Sequence, residues 1–175
     1  KYVDIIKKSI GRLLNTVNDI IEISKIESGD INVTKTEVEL CDYIDTQVIF
    51  FRPEAEKKNI NVVLQNKIDG NELIIKTDRN KLDSIVSNLI KNADQGTITI
   101  DLKAENSHIL FTCKDTGIGI TKDRQAAIFN RFEQADIDDK LAKEGSGLGL
   151  AIVKSYVEIL NGETWLESQE GKGST

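Results

Sequence analysis

Three groups of residues in this chain can do chemistry. Asn88 and Asn92 stand four apart. Asp115-Thr116-Gly117-Ile118-Gly119 follows them, and Gly145-Ser146-Gly147-Leu148-Gly149-Leu150 comes third. At a spacing of four the two asparagines share a helix face. Their amide oxygens suit Mg²⁺ held mainly by triphosphate oxygens, because a neutral ligand does not repel the phosphates. Asp115 follows a predicted strand. A carboxylate only accepts, so it can take a hydrogen bond from an exocyclic amino group such as that of adenine. Facing the carbonyl of guanine in a dry pocket it would be an unpaired acceptor. Gly117 and Gly119 let the backbone approach a base without a Cβ. Gly145, Gly147 and Gly149 precede a predicted helix, whose free N–H groups make an anion site for phosphates. The order of the three groups reads as an ATP site with a mobile lid near residues 134 to 146.

Other candidates are weaker. Ile128-Phe129-Asn130-Arg131-Phe132 is expected to pack the base of the lid, its two rings serving as hydrophobic filling. Lys140 and Lys143 can reach phosphates or face solvent. His108, the only histidine, sits inside an alternating strand and reads as a strand residue.

The elements that must position these groups follow from periodicity. Val3, Ile6, Ile10, Leu13, Val17 and Ile20 form a heptad seam, widened by Leu14 and Ile21 to what a bundle requires. One helix over residues 1 to 28 results, closed by Gly29. A strand is expected over 31–39 and a helix over 41–58 that Pro53 should kink or restart. Strands are expected over 60–65 and 73–76, joined by an Asp69-Gly70 turn. Thr77 or Asp78 should cap a helix burying Leu82, Ile85, Val86, Leu89 and Ile90. Strands over 97–103 and 108–114, a helix over 148–160 stopped by Asn161-Gly162, and a strand over 163–168 complete the pattern. Gly171-Lys172-Gly173 is a turn into a last strand cut off at Thr175. The fold class is α+β: a two-layer α/β sandwich, with one mixed sheet and helices on one face, preceded by a long helix.

Bulk properties set limits. The 175 residues and 39% hydrophobic content allow one sizeable core. A net charge of -6 argues against nucleic acid as a direct partner. Cys41 and Cys113 lack metal-ligand spacing and fit a reduced, cytoplasmic setting. No apolar run reaches the ~20 residues that cross a bilayer, and no signal peptide is present. The chain has no methionine and opens at Lys1. It is expected to be a fragment whose parent could carry a membrane anchor.

On these motifs the chain resembles the catalytic, ATP-binding domain of sensor histidine kinases, in the gyrase–chaperone–kinase ATPase superfamily, with its Bergerat-type fold. Asn88-Leu-Ile-Lys-Asn92-Ala93, Asp115 to Gly119, Phe129 to Phe132 and Gly145 to Leu150 look like the N, G1, F and G2 boxes. Residues 1–29, with Asn18-Asp-Ile-Ile-Glu-Ile-Ser-Lys-Ile-Glu-Ser, are similar to the second helix of the dimerisation and phosphotransfer domain. Residues 30–40 would be linker and first strand, and 41–175 the catalytic domain. The resemblance implies ATP and Mg²⁺ as ligands, and a homodimer through a four-helix bundle. It further implies phosphoryl transfer to a histidine outside this chain, then to an aspartate of a response-regulator receiver domain. Asn88, Asn92, Asp115, Gly117, Gly119, Gly145, Gly147, Gly149 and Leu150 would bind nucleotide, with Asn92 and Asn88 at the metal.

The chain departs from the family twice. The phosphoacceptor helix does not occur in it, so this polypeptide alone should not autophosphorylate. After Ala93 about four residues of the N box, including a lysine and an aromatic, are missing. The alternatives are a hydrolysing relative and a nucleotide-gated dimeric interaction module without kinase activity. ATPases such as gyrase B place a glutamate four residues before the metal-binding asparagine. Here that position is Asn88.

Overall fold

The computed structural model describes residues 2–68, 73–92, 96–105, 108–133 and 146–175. Gly145, the Asp69-Gly70 turn, Ala93 with its two successors, and the lid positions 134 to 145 lie outside the described residues. The order is α1 (Tyr2–Ser28), β1 (Thr36–Glu39), α2 (Leu40–Lys57), β2 (Asn61–Asn66), β3 (Ile74–Thr77), α3 (Arg79–Lys91), β4 (Thr97–Glu105), β5 (His108–Asp115), α4 (Gly149–Ile159), β6 (Ser168–Gln169) and β7 (Gly173–Ser174).

The strands do not form the single mixed sheet expected. Among the described residues they make three ladders. β2 runs parallel to β4, and β4 antiparallel to β5. β1 pairs antiparallel with β3, and β6 with β7. No hairpin joins β2 to β3. Asn66 Oδ1 accepts from the N–H of Ile68 at 3.0 Å, a local turn at the end of β2. The strand expected over 31–39 shrinks to Thr36–Glu39 because side chains take its earlier backbone groups. Asn32 O accepts from Lys81 Nζ at 2.7 Å, and Thr34 N donates to Asp78 at 2.9 Å. The strand expected over 163–168 is reduced to Ser168–Gln169, extended by reciprocal Glu167–Thr175 bonds.

α2 runs unbroken through Pro53. Pro53 and Ile49, whose carbonyl loses its partner, both lie on the exposed side of the helix, where water can replace the missing bond. Glu39 caps α2 by accepting from Cys41 N and Asp42 N, and also accepts from Leu73 N at 3.0 Å. Those bonds, the one from Leu73 foremost, hold its carboxyl below the usual range. Both α2 and α4 end in the same way. Asn59 and Asn161 take φ of 57° and 63°, and the N–H groups of Ile60 and Gly162 return to Ala55 O and Val157 O. This is the left-handed helix stop that asparagine tolerates. Gly29, at φ 69°, ends α1 as expected.

Two apolar clusters hold the layers. One lies between the β2–β4–β5 ladder and α2 and α3, around Ile44, Val48, Val86, Ile98, Ile100 and Leu102. Burying each of these large side chains contributes roughly 2–3 kcal/mol. The other joins α1, α3 and α4 through Ile23, Ile85, Leu148, Ile152 and Tyr156.

α3 starts at a buried ion pair. Asp78, 4% exposed, caps the helix by accepting from Asn80 N and Lys81 N, and pairs with Lys81 Nζ at 2.8 Å. Burial would raise its pKa, but the Lys81 bond and the bonds from Thr34 N and Lys81 N outweigh that and lower it. A lowered folded pKa means stabilisation that is complete above the unfolded value and fades as pH falls through the folded one. Asp78→Ala should cost about 3 kcal/mol at neutral pH, since it strands Lys81 and removes a cap. Urea unfolding should show the gap to wild type shrinking as pH falls below the ordinary aspartate value of 3.8.

Candidate functional site

The last turn of α3 and the first turn of α4 meet at one place, and β5 approaches α3 through Cys113. Asn88 Nδ2 donates to Ser84 O at 2.9 Å, and Asn92 Nδ2 to Asn88 O at 2.8 Å. A carbonyl only accepts, so each amide turns its nitrogen onto the helix and keeps its oxygen for a ligand. Asn88 is half-buried and Asn92 exposed. Gly149, the first residue of α4, lies against both. A Cβ there would stand 2.8 Å from Asn88 Oδ1 and 3.6 Å from Asn92 Nδ2. Two asparagines of one helix and the N-terminus of another are thus brought into contact.

α4 begins without a side-chain cap on its N-cap residue, Leu148. Its first N–H groups are therefore available to an anion. Leu148 is fully buried and anchors the turn, and Leu150 is half-buried in the first turn of the helix. Gly147, at φ 70°, lies against the backbone of Phe132: its Cβ would stand 2.9 Å from Phe132 C, and Phe132 N donates to Gly147 O at 2.9 Å. The ring of Phe132 is 69% exposed, so it is not the hydrophobic filling expected of it. Its main chain lies against Gly147, at a φ of 62°, and Ile128 is the buried apolar residue of the segment.

Asp115 closes β5. Its Oδ1 accepts from Gly117 N at 2.7 Å, which folds the glycine turn onto the strand end. Cys113, two residues earlier and so on the same strand face, places its Sγ 3.8 Å from Leu89 O of α3. Asp115 therefore faces the helix that carries Asn88 and Asn92. Burial pushes the Cys113 thiol up to about 12, with a smaller contribution from the Asp115 charge, so the thiol stays protonated beneath the site.

Gly119 differs from expectation. Its φ is 69°, and a Cβ would lie 2.0 Å from Gln169 O. The space is taken by the β6–β7 turn rather than left for a base. Gly171 N donates to Ile118 O at 2.6 Å and Ile120 N to Ser168 Oγ at 2.8 Å. On the other side a Cβ on Gly173 would stand 2.1 Å from Asp115 O. The turn is clamped main chain to main chain.

Several residues at the site were not singled out from the sequence. Asp19, Glu22 and Glu27 of α1 meet Ser146, Ser84 and Arg131 respectively. The signal was there: Ile23 and Ile26 continue the helical spacing past Ile20, and the carboxylates share their face.

The model of the family described as "Histidine kinase-, DNA gyrase B-, and HSP90-like ATPase" matches residues 77–175, which include every residue of this site outside α1. The chain belongs to that family. It is 36% identical over 183 aligned positions to the autoinducer 2 sensor kinase/phosphatase LuxQ of Vibrio parahaemolyticus, covering 99% of this chain and 21% of that protein. The chain thus spans about a fifth of the length of this curated relative. Among solved structures, full-length ShkA in complex with AMPPNP matches 99% of this chain and 36% of its own, with a TM-score of 0.82 at 25% identity. The histidine kinase ThkA in complex with the response regulator TrrA shares the fold, with a TM-score of 0.74 at 24% identity, over 99% of this chain and 48% of that one. Both structures share the fold of this chain over nearly its whole length.

Gly119→Ala should unfold the clamp rather than trim a ligand contact. We expect a loss of at least about 3 kcal/mol, from a positive φ and a backbone collision together. Thermal unfolding without nucleotide should already show it. A variant as stable as wild type that merely binds nucleotide less well would assign this glycine to the ligand.

Proposed function

We propose that this chain is the ATP-binding catalytic core of a sensor histidine kinase. It would supply the γ-phosphate of ATP to a histidine outside this sequence, for onward transfer to a response-regulator aspartate. The observation that carries the reading is the convergence of Asn88, Asn92 and the uncapped start of α4 at Gly149. Amide oxygens and helix N–H groups at one point suit Mg²⁺ and phosphates. Asn88, where hydrolysing relatives place a glutamate, offers no base for water. That favours transfer to a protein acceptor.

In this reading Asn92 and Asn88 would hold Mg²⁺, whose chemistry is to neutralise charge on the β- and γ-phosphates. Among the described residues no group of three or more His, Cys, Asp or Glu is placed to hold a metal ion, and the amide oxygens would serve together with the phosphates. Asp115 would accept from the adenine amino group with the oxygen that Gly117 N does not engage. Gly147 and Gly149 would place the α4 amides on phosphate, and Leu150 would flank them. Gly119 and Gly173 would support the turn from behind.

A Mg-ATP titration followed by phosphotransfer to a separately supplied phosphoacceptor domain tests the reading. Asn92→Ala should weaken Mg-ATP at least about ten-fold, or ~1.4 kcal/mol, and adenosine without metal hardly at all. Equal losses would remove the metal role. Asp115→Asn can turn a donor toward the base, so the preference for ATP over GTP should narrow.

α1 supplies the second part of the reading, a homodimer. Val3, Ile10, Leu13 and Val17 are 62%, 52%, 65% and 42% exposed. Soluble monomers seldom leave such a stripe bare. We infer that it packs in a bundle with another copy. Among the described residues no helix is long and apolar enough to cross a membrane. Ile10→Lys with Val17→Lys should sediment as a monomer at concentrations where wild type associates, with nearly unaltered ATP affinity. A wild-type chain that stays monomeric at high concentration would remove the bundle.

A further inference from the structure

The docked end of α1 reaches the phosphate end of the site. Asp19, Glu22, Ile23, Ile26 and Glu27 recur at spacings that share a helix face. Ile23 is buried and Ile26 packs beside it on the α4 cluster. Asp19 Oδ2 accepts from Ser146 Oγ at 2.6 Å, and Ser146 Oγ accepts in turn from Leu148 N at 3.2 Å. A carboxylate therefore stands one hydroxyl away from the start of α4, a helix with no acidic residue in its own first turn. The same face touches the other half of the site. Glu22 accepts from Ser84 Oγ at 2.9 Å, and Ser84 O is the carbonyl that orients Asn88. Glu27 pairs with Arg131, next to the Phe132 backbone that supports Gly147.

We propose that α1 docking and nucleotide phosphate binding oppose each other through Asp19. The inference rests on the nucleotide reading above. The partial positive charge at the start of a helix favours any anion placed there. With α1 docked, Asp19 already supplies one, and a triphosphate arriving at Gly147 and Gly149 meets a like charge. Ile23 and Ile26 favour the docked helix, so phosphates must work against an apolar contact as well. Linkage makes the effect reciprocal: what weakens the Asp19 contact tightens ATP, and ATP loosens the end of α1. Adenosine carries no phosphate and stands outside the competition. The bare half of α1, which the bundle reading assigns to a second copy, is continuous with the docked half. Rearrangement of that bundle would thereby change ATP affinity.

The test compares adenosine, ADP and ATP, each with Mg²⁺, on the whole chain and on Asp19→Asn. The substitution removes the charge and keeps an acceptor for Ser146. ATP should bind about five-fold tighter to the variant, ADP less so, and adenosine within about two-fold. In wild type, ATP should speed hydrogen exchange over residues 19–28 and adenosine should not. Unchanged ATP affinity in Asp19→Asn, with wild type binding ATP normally, overturns the competition and leaves the nucleotide reading standing. A gain shared equally by adenosine also overturns it, because the effect would then not lie at the phosphates. Failure of wild type to bind ATP at all overturns both.

Discussion

The distance between α3 and α4 governs the rest of this structure. α4 comes so close to α3 at Gly149 that one methyl group would collide with the oxygen of Asn88. Everything chemical depends on that approach. It puts helix N–H groups, which suit anions, beside amide oxygens, which suit a cation, although the two motifs lie far apart in the chain. It is maintained from below by Leu148, Ile152 and Ile85, and by Ile23 from α1. A core that reaches this far toward the surface leaves little slack for the site to adjust.

The same logic governs the glycine turn after β5. Side chains do little there. Gly119 and Gly173 let the β6–β7 turn and the end of β5 touch through carbonyls and Cα atoms. Asp115 is positioned by its bond to Gly117 N and by the clamp behind it. Two glycines therefore bear on the site by leaving room, one of them fifty-four residues further along the chain than the other.

The sequence made some of this legible and hid the rest for physical reasons. Helical periodicity located α1, α3 and α4, because side chains on one face of a helix must repeat every turn. Asp78 was one of two caps considered, and the asparagine and glycine motifs marked the ends that converge. The adjacent alternating runs over 97–103 and 108–114 read as paired strands, as β4 and β5 are, but the partner of β2 was not legible: alternation in Ile60 to Gln65 says which face is buried but not which strand lies alongside. The parallel pairing of β2 with β4 joins segments far apart in the chain, which no local hydrophobic pattern records. The close approach of the β6–β7 turn to Gly119 was not legible, because a glycine in a motif does not say whether ligand or protein fills the space beside it. The docked face of α1 was overlooked because a heptad seam suggests a partner helix. Ile23 and Ile26 lie off that seam, whose next positions are Ser24 and Glu27, and pack on the body of the same molecule.

The stop of α4 has a chemical consequence. Asn161-Gly162 is the dipeptide in which asparagine most readily cyclises, when the glycine nitrogen attacks the side-chain amide and the residue deamidates. Here that nitrogen donates to Val157 O at 2.8 Å, and Asn161 is held at φ 63°. The attacking nitrogen is fixed to the helix it follows, and the ring cannot close without unwinding the last turn. The motif that ends α4 thus also slows the ageing of the chain at its most labile bond.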